Sequence, residues 1–128
     1  MISFKNISCV IVSTVILFTF SCRREDKKTY VIEPSVVHFS IPQGASYDTV
    51  VYVKNLSSEK LAITEIASAC GCMVGDLRDS TVLPNDSVPL RVTFKPNPSD
   101  TGEMIRFISL RTNGRPPIQS VELRGAVH

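Results

Sequence analysis

The sequence predicts an all-β protein in which about seven short strands form a single antiparallel sandwich after an N-terminal export segment. Two observations support this prediction. Runs rich in Val, Ile and Thr recur roughly every 10–15 residues, with turn-forming residues between them. Beyond the export segment, no window of the 128-residue chain shows the periodicity of an amphipathic helix. Both observations favour strands throughout one domain of ordinary size.

Residues 1–21 are predicted to be a signal peptide. Lys5 provides a positive start, and residues 7–20 form an apolar run that is shorter than the roughly 20 residues of a membrane-spanning helix. The run ends in Ser21-Cys22, a small residue before a cysteine, which resembles the lipobox of bacterial lipoproteins. Cys22 is therefore the predicted lipidation site, where acyl chains would anchor the mature N-terminus in a membrane.

A charged segment separates Cys22 from the first predicted strand. Residues 23–28 contain four basic and two acidic side chains, a composition that is too polar to pack and is typical of a tether. Residues 22–33 are accordingly predicted to be the acylated cysteine and its tether, and residues 34–128 the folded domain.

Three strands are predicted in the first half of the domain, at residues 35–41, 49–53 and 61–67. In the first of them, Val37, Phe39 and Ile41 occupy alternate positions, which places them on one face of the strand. The following stretch, residues 73–82, is less regular and is expected to hold one short strand.

The second half of the domain contains the clearest alternation, in residues 88–95. A further strand is predicted at residues 103–112, and Asn113 and Gly114 are predicted to open a turn toward the last strand, near residues 121–127. Short strands at this spacing are typical of an immunoglobulin-like sandwich.

Composition argues against several classes of function. The formal net charge is +2 and the basic residues are scattered, so the chain lacks the electrostatic footprint of a nucleic-acid-binding protein. The sequence has no glycine-rich phosphate loop, nucleophile elbow or HExxH motif, and nothing in it indicates a small-molecule substrate. We therefore expect neither an enzyme nor a nucleic-acid-binding protein.

Apart from Cys22, the cysteines expected to remain after export are Cys70 and Cys72, which flank Gly71. In an extended strand their side chains would lie about 6.5–7 Å apart, whereas the Cβ atoms of a disulfide are about 3.5–4.5 Å apart. A bond between them requires a tight bend, which Gly71 would permit. One interpretation is therefore a redox-labile or structural disulfide in an oxidising compartment.

Two further interpretations of the cysteine pair stay open. Two thiolates could hold Cu(I) or part of a Zn²⁺ shell, with His38, Asp76 or the terminal His128 as added ligands. Alternatively, Cys70 and Cys72 are small packing residues that fix a turn. No firm metal site and no cofactor is predicted.

Three short Asp-Ser/Thr sequences resemble the O-glycosylation acceptors of some envelope proteins. Their hydroxyl residues are Thr49, Ser80 and Ser87. Because tripeptides of this kind also arise by chance, plain strand and turn residues are favoured at these positions.

Several runs of residues together resemble one known family. They are VYVKN at 51–55, LAI at 61–63, ACGC at 69–72, LPNDS at 83–87, VTFKP at 92–96, Gly102, RTN at 111–113 and LRG at 123–125. This set is similar to the domain-of-unknown-function 1573 (DUF1573) family and covers about residues 35–127. The family usually has Ser and Thr around its Cys-Gly-Cys, where this chain has Ala69 and Met73. The resemblance implies an immunoglobulin-like fold related to Hydin-type domains, and it implies no established activity.

The sequence thus predicts a lipoprotein of the bacterial cell envelope, anchored in the inner or outer membrane with its domain facing the periplasm or the cell surface. We expect a binding or scaffolding module with an envelope protein as its partner, met through loops or an exposed sheet edge. The alternative is a thiol-dependent redox protein, or a copper- or zinc-handling protein, that uses Cys70 and Cys72.

Overall fold

The computed structural model describes residues 26–128, and over this range the chain forms nine β-strands and no helix. The strands are β1 (Tyr30–Glu33), β2 (Val36–Ile41), β3 (Tyr47–Asn55), β4 (Leu61–Ser68), β5 (Met73–Leu77), β6 (Thr81–Val82), β7 (Ser87–Phe94), β8 (Gly102–Thr112) and β9 (Ile118–Val127). Nothing in this part of the chain is a helix of the length and hydrophobicity that a membrane crossing requires.

Two sheets form the sandwich. The four-stranded sheet has the order β1-β3-β7-β5, and the five-stranded sheet has the order β2-β9-β8-β4-β6. Neighbouring strands are antiparallel except β2 and β9, which run parallel. The predicted sandwich is confirmed, although the described residues form nine strands rather than seven and the five-stranded sheet is mixed rather than purely antiparallel.

The core lies between the sheets and follows from the alternation of the strands. In β2, β7 and β9, buried positions alternate with more exposed ones, because successive side chains of a strand point to opposite faces. In β4 the register shifts between Ile63 and Glu65. This bulge inserts an extra residue, which returns Ile66 to the inner side, where it packs against the core. The largest fully buried side chains are Tyr30, Phe94, Leu90, Ile108, Leu110 and Leu123.

The folded domain begins before the predicted boundary at residue 34. Residues 30–33 form β1 at one edge of the four-stranded sheet, and Tyr30 is 0% exposed and belongs to the core. Four strand residues directly after a charged segment show too little periodicity to be recognised from sequence. Residues 73–82 also show little periodicity. The sequence predicts one strand there, whereas the structure has two, β5 and the two-residue β6.

Different segments of the chain form the two ends of the sandwich. At the entry end, the backbone N–H of Thr29 donates to the carbonyl of Arg115 at 2.9 Å, and that of Leu56 donates to the carbonyl of Thr29 at 2.8 Å. At the opposite end, which we call the corner end, the backbone N–H of Lys95 donates to the carbonyl of Cys72 at 2.7 Å. The 11 residues of β8 run between the ends, a length of about 35 Å.

Candidate functional site

The cysteine pair lies where the chain crosses from one sheet to the other. β4 ends at Ser68, which is paired with Ile108 in the five-stranded sheet, and β5 begins at Met73, which is paired with Phe94 in the four-stranded sheet. Residues 69–72 make the whole connection. We call this segment the disulfide corner.

Cys70 and Cys72 are joined by a disulfide in the structure. Their Cα atoms are 5.1 Å apart, which is shorter than the roughly 6.5–7 Å of an extended strand. The chain therefore bends between them, as the sequence argument required for a bond. In this state the sulfur atoms are bonded to each other and are not thiolates, the form in which cysteine ligates copper or zinc.

The bend does not depend on glycine in the way that the sequence suggested. The φ angle of Gly71 lies outside the left-handed region, and a Cβ atom added there would meet nothing within 4 Å. An L-residue would therefore fit the observed backbone at this position. The bend comes instead from the short crossing between the sheets and from the bond between Cys70 and Cys72.

Ser68 is a structural residue of the corner that the sequence analysis did not identify. Its hydroxyl oxygen lies 2.6 Å from the carbonyl oxygen of Cys70 and 3.0 Å from that of Met73, and it can donate its single proton to either. The hydroxyl can therefore hold the corner by a hydrogen bond on either side of Cys72. A serine two positions before the first cysteine was the available signal, but only the folded chain brings it near Met73.

The two sulfur-bearing residues differ in exposure. Cys72 is 9% exposed and belongs to the core cluster, whereas Cys70 is half-buried and packs at its border. An external thiolate would therefore reach Cys70 first. A thiolate released at Cys72 would lie against apolar side chains, an environment that disfavours the charged form.

The candidate metal ligands are not gathered around the corner. His38 is exposed on β2 in the five-stranded sheet, while Asp76 is exposed on β5 in the other sheet and lies opposite Arg91. The backbone N–H of His128 donates to Ile41 at 3.0 Å, at the end of the last strand. Between residues 26 and 128, no group of three or more His, Cys, Asp or Glu side chains is arranged to hold a metal ion.

Asn113 and Gly114 lie in the connection between β8 and β9, at the entry end. The side-chain oxygen of Asn113 accepts a hydrogen bond from the backbone N–H of Ala62 at 2.8 Å. A Cβ atom on Gly114 would lie 2.8 Å from both Thr29 Oγ1 and Tyr30 Cδ1. This turn therefore packs closely over the start of the folded chain.

The remaining predicted sites lie at scattered positions. Thr49 is half-buried in β3, while Ser80 and Ser87 are exposed. The predicted signal peptide and the lipidation site Cys22 lie outside the described residues.

Exposed apolar side chains cluster on the outer face of the five-stranded sheet. Val36, Ile105 and Phe107 are 41%, 44% and 46% exposed. In the strand register, Glu122 separates Val36 from Phe107, and Ile105 lies beside Arg124. We call these three apolar residues the outer-face patch, and one of them, Ile105, also lines an open groove of about 970 Å³. Sequence alternation predicts outward positions, but not which of them become neighbours.

Other solved proteins share this fold at low sequence identity. A Porphyromonas gingivalis protein of unknown function superposes with a TM-score of 0.68 and 12% identity, over 77% of this chain and 46% of that one. This chain therefore spans less than half of that protein. The ASH/PapD-like domain 7 of human CEP192 gives a TM-score of 0.63 and 10% identity, over 79% of this chain and 86% of that one.

Part of an enzyme also resembles this sandwich. The VesB protease of Vibrio cholerae gives a TM-score of 0.55 and 10% identity, over 77% of this chain and 31% of that one. Identities this low show a shared fold and carry no activity from one protein to another. A search of curated proteins gave no match.

The family comparison is more specific than the fold comparisons. A family model described as a protein of unknown function (DUF1573) matches residues 30–127. The matched range begins with the first residue of β1, includes the disulfide corner and ends with the last residue of β9. The chain belongs to the DUF1573 family.

Proposed function

We propose that this chain is a cell-envelope lipoprotein whose sandwich binds or scaffolds a partner protein of the envelope. The observation that carries the proposal is the outer-face patch of Val36, Ile105 and Phe107, because neighbouring large apolar side chains on a surface are typical of protein interfaces. The patch extends over β2, β9 and β8, so a partner would lie across three strands.

Charged residues within the patch would give such an interface its orientation. Arg124 and Glu122 form an ion pair at 2.6 Å between the apolar side chains. The Glu122 side chain is only 20% exposed, while that of Arg124 is 55% exposed. A partner that covers Phe107 would therefore also meet the Arg124 guanidinium, which favours an acidic or carbonyl-rich rim on its surface.

A photo-crosslinking amino acid in place of Phe107 tests the binding role in intact envelopes. Tyr52 provides the matched control, because it is an aromatic residue of similar exposure (48%) in the other sheet. We expect one defined protein adduct from position 107 and none from position 52. Equal adducts from both positions, or none from either, would contradict the proposal.

Anchoring through Cys22 belongs to the same proposal and has its own test. Fatty-acid labelling of the wild type should give a labelled band, and the Cys22→Ala variant should lose it. Persistent label in the variant would contradict the anchor while leaving the binding role intact.

The unequal exposure of the disulfide supports a second candidate function, thiol–disulfide exchange. A thiolate of a partner dithiol would attack the Cys70 sulfur and form a mixed disulfide with it. Cys72 would leave as a thiolate and take a proton from water. The partner's second thiolate would then attack the partner sulfur that is bonded to Cys70 and release Cys70 as a thiolate. The partner is then oxidised to a disulfide, and Cys70 and Cys72 are both reduced.

A trapping experiment tests this exchange. The Cys72→Ser variant should accumulate a mixed disulfide at Cys70 with added glutathione disulfide, whereas Cys70→Ser should react much more slowly, because Cys72 is buried. Equal labelling of the two variants would contradict the predicted direction of attack.

A further inference from the structure

One edge of the four-stranded sheet is open beside the disulfide corner. β5 pairs with β7 on one side and is the last strand in that sheet. Over residues 26–128, no strand pairs with its other side. The Cys70–Cys72 disulfide lies immediately before the first residue of this strand, so the corner fixes where the open edge begins.

The hydrogen-bond pattern tells which main-chain groups of β5 point outward. The Lys95 N–H donates to the Cys72 carbonyl at 2.7 Å. Because bonded and non-bonded pairs alternate between antiparallel strands, Met73, Gly75 and Leu77 direct their main-chain groups away from β7. The Ser68 hydroxyl at 3.0 Å from the Met73 carbonyl agrees with this pattern. The N–H and C=O groups of Gly75 and Leu77 thus form the open edge.

The only charged side chain in this strand is that of Asp76, so it has few of the devices by which natural sheets block further pairing. β5 contains neither lysine nor proline, and Val74 is 62% exposed, more than any other large apolar residue in the described range. By contrast, β1 has four residues, one of which, Glu33, is held by Lys54 at 2.6 Å, and β6 has only two residues.

A groove runs between this edge and β4. It has a volume of about 320 Å³, and Ile66, Gly75 and Leu77 belong to its apolar lining. A Cβ on Gly75 would lie 2.8 Å from Ile66 Cγ2 and 2.8 Å from Ile108 Cδ1, so the missing side chain lets the isoleucines pack against the strand itself. A strand added beside β5 would direct every second side chain toward Ile66.

The charges at the groove are acidic. Glu65 and Asp76 are its charged lining residues. Glu65 is paired with Arg111 at 3.1 Å, whereas no ion pair of Asp76 is present in the described part of the chain. Arg91 lies opposite Asp76 on β7, so a basic side chain of an added strand would approach Asp76 from the open side of β5.

We propose that the β5 edge binds an extended segment of a partner polypeptide, which adds to the four-stranded sheet as a fifth strand. The segment alternates apolar side chains, which enter the groove beside Ile66, with basic side chains, which face Asp76. Main-chain hydrogen bonds to Gly75 and Leu77 would provide binding, and the groove would select the side chains. This site is separate from the outer-face patch, so either can fail without the other.

An eight-residue peptide of alternating valine and lysine, blocked at both ends, is the probe. We expect saturable shifts of the Gly75 and Leu77 amide signals in nuclear magnetic resonance spectra of the disulfide-intact domain, with slower amide exchange. Two N-methylated versions of the peptide separate strand addition from surface adhesion. Methylation of the alternate amides that face β5 should weaken binding at least about tenfold, since it removes the N–H donors of the main-chain hydrogen bonds. Methylation of the other alternate set, which faces away from β5, should be tolerated.

Matched variants complete the test. Val74→Lys should weaken binding of the peptide several-fold, while Val50→Lys, on the outer face of β3 in the same sheet, should not. Asp76→Asn should reduce the preference for the lysine peptide over its glutamate counterpart. Equal loss with both methylated peptides, or equal loss with Val74→Lys and Val50→Lys, would overturn the proposal. So would a dimer in solution that Val74→Lys dissociates, because the edge would then be an interface between copies of this chain.

Discussion

The side-chain amide of Asn55 donates a hydrogen bond to the backbone carbonyl of Val82 at 3.0 Å, which joins the end of β3 in one sheet to β6 in the other. The same amide group donates to the carbonyl of Glu59 at 2.7 Å, and the Asn55 side-chain oxygen accepts from the N–H and hydroxyl of Ser57. Asn55 is 1% exposed, so its side chain and the bond to Val82 are shielded from water.

Replacing Asn55 with alanine should therefore destabilise the domain. The Val82 and Glu59 carbonyls would lose their buried partner, and the expected loss in the free energy of unfolding is about 2–3 kcal/mol. Urea denaturation measures it. Asn97→Ala is the control, because Asn97 is exposed and its side chain makes no hydrogen bond within residues 26–128; a similar loss in both variants would contradict the explanation.

Two glycines should respond differently to alanine. Gly71→Ala should change stability by less than about 0.5 kcal/mol, since its backbone is ordinary and its surroundings are open. Gly114→Ala should cost about 1–3 kcal/mol, because the new methyl group would overlap Thr29, Tyr30 and Leu61. Thermal unfolding of the two variants beside the wild type checks the order, and a larger loss at Gly71 would show that the corner needs glycine after all.

Reduction of the Cys70–Cys72 disulfide should leave the domain folded. With a sequence separation of only 2, the closed loop restricts the unfolded chain little, and the loss in the free energy of unfolding should be about 1.5 kcal/mol. Urea denaturation with and without a reductant measures this difference. A variant with alanine at both positions should show no response to the reductant, and complete unfolding of the reduced wild type would contradict the prediction.

Stability at high pH should depend on Tyr30. Burial raises the pKa of its phenol, and the nearby Thr112 and Gln119 side chains lower it only in part. Above the ordinary tyrosine pKa of about 10, the unfolded chain loses this proton while the folded chain keeps it. The contribution is therefore complete below pH 10 and is lost as the pH rises through the raised value.

Unfolding midpoints measured between pH 9 and pH 11 test this linkage. Tyr30→Phe should show a smaller fall in stability than the wild type, because phenylalanine has no proton to lose. Tyr52→Phe should behave like the wild type, since Tyr52 is 48% exposed. Parallel curves for wild type and Tyr30→Phe would show that Tyr30 does not cause the fall.

Strand alternation was predictable because it depends on neighbouring residues. Val37, Phe39 and Ile41 lie on one face as predicted, and that face is the buried one. The sandwich class and the DUF1573 family are both confirmed. The parallel pairing of β2 with β9 was not predicted, because a strand that alternates can pair in either direction. The bulge in β4 was also missed, since one extra residue changes the face of Ile66 without changing composition.

The candidate site was predictable only in part. Cys70 and Cys72 are adjacent enough in sequence for their bond to be considered, but Ser68 acquires its role only where the chain turns back to Met73. Likewise, Val36 and Phe107 are far apart in the chain, and only the sheet order places them on either side of Glu122.

The sequence by itself determined the class of fold, the family and the short spacing of the cysteine pair, because each depends on residues close together along the chain. Tertiary structure alone decided that Tyr30 belongs to the core, that β5 is left as an open edge and that the residues of the outer-face patch share one outer face. These properties depend on which strands become neighbours, and strand order is set by long-range packing of the two sheets rather than by local pattern.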